Sequence, residues 1–203
     1  LGEMGLFQRL DAITVHSYGV TSPEALTQPF LTLRALIDSY SPHWRIPILS
    51  GEWGFASTEQ GYSETKQAQY LVRQWLVNLY HDINVNIWYD WHNDGPDPYN
   101  PEHNFGTVRH DYTPKPTYYA AQTLAETLRG YQFLRRIPLS RADDYVMLFQ
   151  RDREIALAVW TTGPIHTIAL PIPTYGVDVV QMTGDRYTLE SDQETLKVEV
   201  GPS

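Results

Sequence analysis

The chain of 203 residues contains no cysteine and is poor in positive charge, with 15 lysines and arginines against 24 aspartates and glutamates. The lack of cysteine excludes disulfide bonds, thiol catalysis and zinc sites with cysteine ligands, but it leaves the redox compartment open. A formal net charge of −9 argues against nucleic acid or anionic membranes as partners, because both are bound through clustered lysine and arginine side chains.

Long hydrophobic runs are also missing. No segment approaches the roughly 18 consecutive apolar residues that a membrane span needs, and the N-terminus has no charged region followed by an apolar one. Leu1 stands where a start methionine would be, so we expect the chain to begin inside a longer protein. The sequence has no internal repeat and no low-complexity segment.

Aromatic residues, in contrast, are abundant. They make up 13% of a chain that is 42% hydrophobic, which is enough apolar material for a real core. Many of them lie beside polar residues outside the periodic runs, where core packing explains them less well. That placement is typical of clefts that bind sugars.

The first two thirds of the chain alternate between strand and helix patterns. Short apolar runs bounded by proline and glycine predict strands at residues 11–19, 46–54 and 85–91, and helical periodicity with capping residues predicts helices at about 22–40, 63–79 and 116–128. Three such units in succession imply parallel strands joined by right-handed crossovers. The predicted fold class is therefore α/β.

The pattern changes after Gly130 to short alternating runs separated by turn residues, at 145–149, 155–160, 165–170, 177–182 and 195–200. Such runs predict a small antiparallel β-domain. We expect one domain over residues 1–134 and an accessory β-domain over residues 135–203.

Glu52 is the strongest candidate for chemistry. It ends a buried apolar run that lies between Pro47 and Gly54, and the C-terminal ends of barrel strands are where catalytic groups collect. Trp53, directly beside it, would suit a site that stacks flat ligands. The alternative is a glutamate at a strand end that forms a surface ion pair.

His16 and Tyr18 end the first predicted strand, and their spacing of two places both side chains on one face. A phenol that donates a hydrogen bond to Glu52 would orient its carboxylate, and a nearby imidazole would fix the geometry of both. A histidine satisfied in the core is the alternative for His16. Trp91, at the end of the third strand, would form a hydrophobic floor for a pyranose ring.

A loop of polar residues follows the third strand and includes Asp94. Its side chains can bind sugar hydroxyls, although the same residue types also make turns. The spacing of its carboxylates is not that of an EF-hand loop, and the histidines show no HExxH arrangement. We therefore predict neither a metal nor a cofactor.

Three strand-end motifs resemble the C-terminal portion of a clan A glycoside hydrolase, a (β/α)8 barrel of the family 5 and family 39 type. DAITVHSY (11–18) resembles its sixth strand, PILSGEWG (47–54) its seventh and NIWYDWHNDG (86–95) its eighth. The segment 102–124, EHNFGTVRHDYTPKPTYYAAQTL, resembles the approach to the last barrel helix. The β-rich tail is similar to the accessory sandwich of family 39-like enzymes.

The resemblance implies a retaining β-glycosidase with a poly- or oligosaccharide substrate. Glu52 would be its nucleophile, Tyr18 the hydrogen-bond donor to that carboxylate, His16 a supporting group and Trp91 the sugar platform. The family's acid/base glutamate ends the fourth strand, so it would belong to the missing N-terminal half of the barrel, and the fragment alone would be inactive. The parent protein would be secreted or periplasmic.

Two other interpretations stay open on the sequence alone. A non-catalytic carbohydrate-binding protein would keep the barrel mouth and its aromatics without the chemistry. An ordinary α/β domain with chance motifs would bind no glycan.

Overall fold

The structure is a computed structural model that describes residues 2–191 and 194–201. The chain divides into two compact units, Leu1–Lys115 and Pro116–Ser203. The predicted boundary between residues 134 and 135 lies later, because the sequence pattern counts the helix after Lys115 with the barrel portion. That assignment to domains stays a prediction.

The first unit alternates strands and helices, as the sequence predicts. Its elements are β1 (Ile13–His16), α1 (Thr27–Tyr40), β2 (Ile48–Trp53), α2 (Glu64–Tyr80) and β3 (Asn86–Trp88), with 3-10 helices at Leu6–Arg9, Pro23–Leu26 and Pro101–His103. The strands form one parallel sheet in the order β1-β2-β3. The third strand is shorter than predicted, because the chain from Asp90 onward pairs with the segment 105–108 instead of with the sheet.

One face of this sheet is covered by a hydrophobic core. Ile48 and Trp53 of β2 are buried there with Phe30 and Ile37 of α1. The helix α2 begins where the sequence predicts, since the side chain of Ser63 accepts a hydrogen bond from a backbone N–H of its first turn.

A buried ion pair joins the 3-10 helix before α1 to α2. Arg73 donates two hydrogen bonds of 2.6 Å to the two carboxylate oxygens of Glu24, and both side chains are almost completely buried. A two-pronged pair of this kind fixes the position of one element on the other.

In the part of the second unit that the structure describes, α3 (Pro116–Thr127) is followed by seven strands. These are β4 (Gln132–Arg136), β5 (Asp144–Arg151), β6 (Glu154–Thr161), β7 (His166–Leu170), β8 (Gly176–Val180), β9 (Arg186–Glu190) and β10 (Leu196–Val200). They pair antiparallel as β4-β5-β6, β7 with β10, and β8 with β9. Buried side chains of β5, β7 and β10, among them Val146, Ile168 and Leu196, form a shared core.

The antiparallel pairing in this unit is as predicted, but β4 and β9 were not predicted as strands. The assignment of the whole unit as a sandwich stays a prediction. Among the described helices of both units, none combines the length and the apolar composition that crossing a membrane requires.

Candidate active site

Glu52 lies at the C-terminal end of β2, beside His16 at the end of β1. The register of the two strands shifts between Val15 and His16, so that His16 pairs with Glu52 and Gly51 is the extra residue of a β-bulge. A Cβ atom at Gly51 would overlap the hydroxyl oxygen of Thr14 on the neighbouring strand. Only glycine allows the strands to approach this closely.

The end of β1 supplies two partners for this carboxylate. The hydroxyl of Tyr18 donates a hydrogen bond of 3.0 Å to Oε1 of Glu52, and Nδ1 of His16 lies 3.7 Å from Oε2. The side chains of Glu52 and His16 are 37% and 52% exposed, so a ligand can reach both. The structure therefore brings together the three residues that the strand ends predict.

Burial raises the pKa of the Tyr18 hydroxyl, and the hydrogen bond to Glu52 raises it further. The phenol consequently keeps its proton throughout the neutral range. It acts as a donor, which fixes the orientation of Oε1, while Oε2 faces Nδ1 of His16.

Two aromatic residues that the prediction did not include form a wall beside Tyr18. The ring of Phe105 packs edge-on against Tyr18 and against Tyr89, with centroid distances of 6.1 and 5.4 Å. Gly54 permits this arrangement, because a Cβ atom there would overlap the carbonyl oxygen of Tyr89. Phe105 lies in the motif segment 102–124, but nothing in the sequence predicts that it returns to the end of β1.

Trp53 does not take part in this site. Its side chain has 0% exposure and packs in the core between the sheet and its helices. Adjacent residues of a strand point to opposite faces, so the orientation that presents Glu52 buries Trp53. The prediction of a ligand-stacking role for Trp53 is not supported by this placement.

Trp91 and Asp94 both lie on the exposed segment after β3. Trp91 is 62% exposed, and its ring lies 6.2 Å from that of Tyr112. Burial raises the pKa of Tyr89, and the charge of Asp94 raises it further. The pKa of Asp90 is raised to about 6, mainly by burial and then by Asp94. Sugar contacts of Trp91 and Asp94 stay predictions.

A buried lysine holds the loop that carries the aromatic wall. Nζ of Lys115 lies within hydrogen-bond distance of four oxygen acceptors, which are Oδ1 of Asn93 at 2.8 Å, the hydroxyl of Ser57 and the carbonyl of Asn104 at 3.1 Å, and Oε1 of Gln67 at 3.4 Å. Lys115 is 1% exposed, and burial lowers the pKa of its amine to about 8. The loop is thus tied to α2 through a polar centre that the sequence analysis missed.

Within residues 2–191 and 194–201, no three histidine, aspartate or glutamate side chains come together as a metal site would require. Asn93 of the loop after β3 is engaged with Lys115 and Asn104.

Comparison with known proteins gives structural matches only. Neither a family model nor a curated protein sequence matches the chain. A family 39 glycoside hydrolase from the gut symbiont Bacteroides cellulosilyticus WH2 superposes with a TM-score of 0.82 and 26% identity, over 99% of this chain and 44% of that one.

Two further solved structures share the fold. A GH30 endoxylanase from Clostridium papyrosolvens C71 matches with a TM-score of 0.59 and 14% identity, over 96% of this chain and 47% of that one. A glucosidase from Croceicoccus marinus matches with a TM-score of 0.52 and 16% identity, over 96% and 53%. The chain spans about half the length of each of these structures. The resemblance to part of a clan A glycoside hydrolase, which the three strand-end motifs predict, is thereby confirmed.

Proposed function

We propose that this chain is part of a retaining glycoside hydrolase that cleaves β-glycosidic bonds of a poly- or oligosaccharide. In this proposal β1, β2 and β3 are the sixth, seventh and eighth strands of a (β/α)8 barrel. The β-rich part from residue 135 onward is an accessory sandwich. The single observation that carries the proposal is the carboxylate of Glu52 at a strand end, hydrogen-bonded by Tyr18 and flanked by His16.

Glu52 is the nucleophile of the proposed reaction. One of its carboxylate oxygens attacks the anomeric carbon and forms a covalent glycosyl ester, while the leaving oxygen takes a proton from an acid. Water then attacks the same carbon after losing a proton to that acid's conjugate base, and the ester bond breaks with net retention. Tyr18 holds the carboxylate in line during both steps.

The proposed reaction needs a second carboxyl group about 5–5.5 Å from the first. We assign that acid/base to the end of the fourth barrel strand, in the half of the barrel that these 203 residues do not include. This chain by itself is then expected to turn over no glycoside. A secreted or periplasmic location of the parent protein remains part of the same proposal.

Two lines of support converge on the proposal. The family 39 enzyme from Bacteroides cellulosilyticus is 26% identical over nearly the whole chain. The exposed carboxylate, the donor phenol and the aromatic wall of Tyr89 and Phe105 also form the kind of partly apolar site that binds a sugar ring.

Covalent labelling tests the role of Glu52. The full-length protein that contains this chain is incubated with activated 2-deoxy-2-fluoro glycosides of glucose and xylose, and its peptides are mapped by mass spectrometry. We expect the label on Glu52 and none in the Glu52→Gln variant. A label on another carboxylate would overturn the assignment.

The same experiment separates the rival function. A carbohydrate-binding protein without catalysis would bind glycans, take up no label and show no turnover. Assay of the 203-residue chain alone completes the test, because measurable turnover by that chain would contradict an acid/base outside it.

A further inference from the structure

Three aromatic rings lie together on the segment after β3. Tyr112 stacks on His92 with ring centroids 4.3 Å apart and an angle of 25°, and Trp91 lies beside Tyr112. Trp91 and Tyr112 are 62% and 65% exposed, so their faces are open to solvent. We call Trp91, His92 and Tyr112 the aromatic platform. Large exposed aromatic faces that are contiguous usually mark a binding surface.

Tyr112 adopts a backbone conformation that is unfavourable for an aromatic residue. Its φ of 66° lies in the left-handed region, which glycine or asparagine adopts at a lower cost in conformational energy. The turn is nevertheless held firmly, since Tyr112 N–H donates to the carbonyl of Arg109 and Arg109 N–H donates to that of Thr113. The guanidinium of Arg109 also forms a two-pronged ion pair with Glu64 at the start of α2. The fold thus holds an exposed ring in a strained place where it adds nothing to the core.

The aromatic platform is connected to the Glu52 site by a short backbone ladder. Asp90 N–H donates to the carbonyl of Phe105, Thr107 N–H donates to that of Asp90, and Val108 N–H donates to that of Trp91. The ladder starts at the wall beside Glu52 and ends at the platform. Trp91 of the platform is two residues from Tyr89 of the wall, so the two surfaces are neighbours along the chain.

We propose that Tyr112, backed by His92, is a further sugar-binding residue that receives a unit of the glycan chain beyond the one bound at Glu52 and Trp91. This inference rests on the proposed function and adds the substrate class to it. The substrate is an extended β-linked oligosaccharide or polysaccharide, and a single terminal sugar unit does not use this contact. The stacked rings present a flat apolar face to the C–H groups of a pyranose, and the exposed carboxylate of Asp94 on the same segment offers an acceptor for hydroxyls.

Binding measurements with ligands of two lengths test this role. The full-length protein carrying Glu52→Gln is titrated calorimetrically with xylohexaose, with cellohexaose and with the corresponding p-nitrophenyl β-monosaccharides. We expect Tyr112→Ala to raise the Kd of a hexasaccharide about tenfold, which corresponds to 1.4 kcal/mol, and to leave the monosaccharide glycosides unchanged. Tyr112→Phe keeps the ring and should keep the affinity.

Tyr99 provides the matched control, because it is 61% exposed in the same segment and is not part of the aromatic platform. Tyr99→Ala should leave both ligand lengths unaffected. The inference is overturned if Tyr112→Ala changes neither Kd, if it weakens short and long ligands equally, or if neither hexasaccharide binds. Labelling of Glu52 by the fluoro glycosides would stand in the first two cases, so failure of this inference is distinguishable from failure of the proposed function.

Discussion

Replacement of Lys115 by methionine is expected to change how the stability of the protein depends on pH. The Lys115 amine is 1% exposed and its pKa is lowered to about 8 by burial, against 10.5 for an ordinary lysine. Between these two values the unfolded chain binds the proton more tightly than the folded one. The free energy of unfolding therefore rises as the pH rises from 8 to 10.5, and the stability gained at high pH is lost as the pH falls through 8.

The size of this effect follows from the two pKa values. Linkage makes the contribution of Lys115 to the free energy of unfolding increase by about 2 kcal/mol from pH 7 to pH 9.5. Methionine cannot titrate, so the Lys115→Met variant lacks this increase. From pH 7 to pH 9.5, the free energy of unfolding of the wild type relative to that of Lys115→Met should therefore increase by that amount.

Urea unfolding followed by tryptophan fluorescence measures this difference at pH 7, 8 and 9.5. Five of the six tryptophans precede residue 116, so the signal reports mainly on the first unit. Lys197→Met, which removes an exposed lysine of β10, is the control, and its unfolding is also followed by circular dichroism because β10 belongs to the second unit. A difference between wild type and Lys115→Met that is constant with pH would refute the reasoning. It would mean that the four oxygen acceptors around Nζ hold the ammonium form despite its burial.

Two further predictions concern other buried charges. Arg73→Met should lower the free energy of unfolding by about 3–5 kcal/mol in a urea titration, because the carboxylate of Glu24 stays buried without its charge partner; an unchanged unfolding midpoint would contradict this. In the second unit both ring nitrogens of His166 face oxygen acceptors, the carbonyl of Pro164 and a carboxylate oxygen of Asp144, and these contacts raise its pKa above 6.5. The stabilisation from His166 is complete below pH 6.5 and is lost as the pH rises through the raised pKa. The Tm of the wild type should therefore exceed that of His166→Asn by less at pH 8.5 than at pH 5.5. A difference in Tm that does not depend on pH would contradict this prediction.

The sequence predicted the part of the site that depends on strand ends. Proline and glycine bound the apolar run before Glu52, and His16 and Tyr18 share one face because of their spacing. Both features are local, and the hydrogen bond from Tyr18 to Glu52 is present as predicted. The prediction that Trp53 stacks on a ligand does not agree with its burial, although the same alternation of side chains along the strand applied to it. A strand residue next to Glu52 has to point to the other face, which is the core face.

The sequence did not predict the parts of the site that depend on contacts between distant segments. Phe105 reaches Tyr18 across 87 positions of the chain, and no periodic pattern encodes such a contact. Lys115 is a single charged residue between two prolines. Such a composition predicts an exposed turn. Its burial follows only from four acceptors that α2 and two loops bring together. The strands β4 and β9 were missed for another reason, since each carries mostly exposed side chains and lacks a clear apolar face.

The two halves of the candidate site therefore have different determinants. Glu52 and Tyr18 are placed by the β-bulge at Gly51, where the absence of a side chain lets β1 and β2 approach. The aromatic wall is placed by the loop after β3, whose carbonyl at Phe105 accepts hydrogen bonds from Gln67 and Trp88 while Lys115 holds the neighbouring carbonyl. The contacts that hold this loop come from α2, Trp88 and Lys115, so a change in the polar centre around Lys115 acts first on the wall. The carboxylate of Glu52 is positioned by the pairing of β1 and β2, whereas its phenol partner Tyr18 also packs on Phe105, so a displacement of the loop reaches the proposed nucleophile through that phenol.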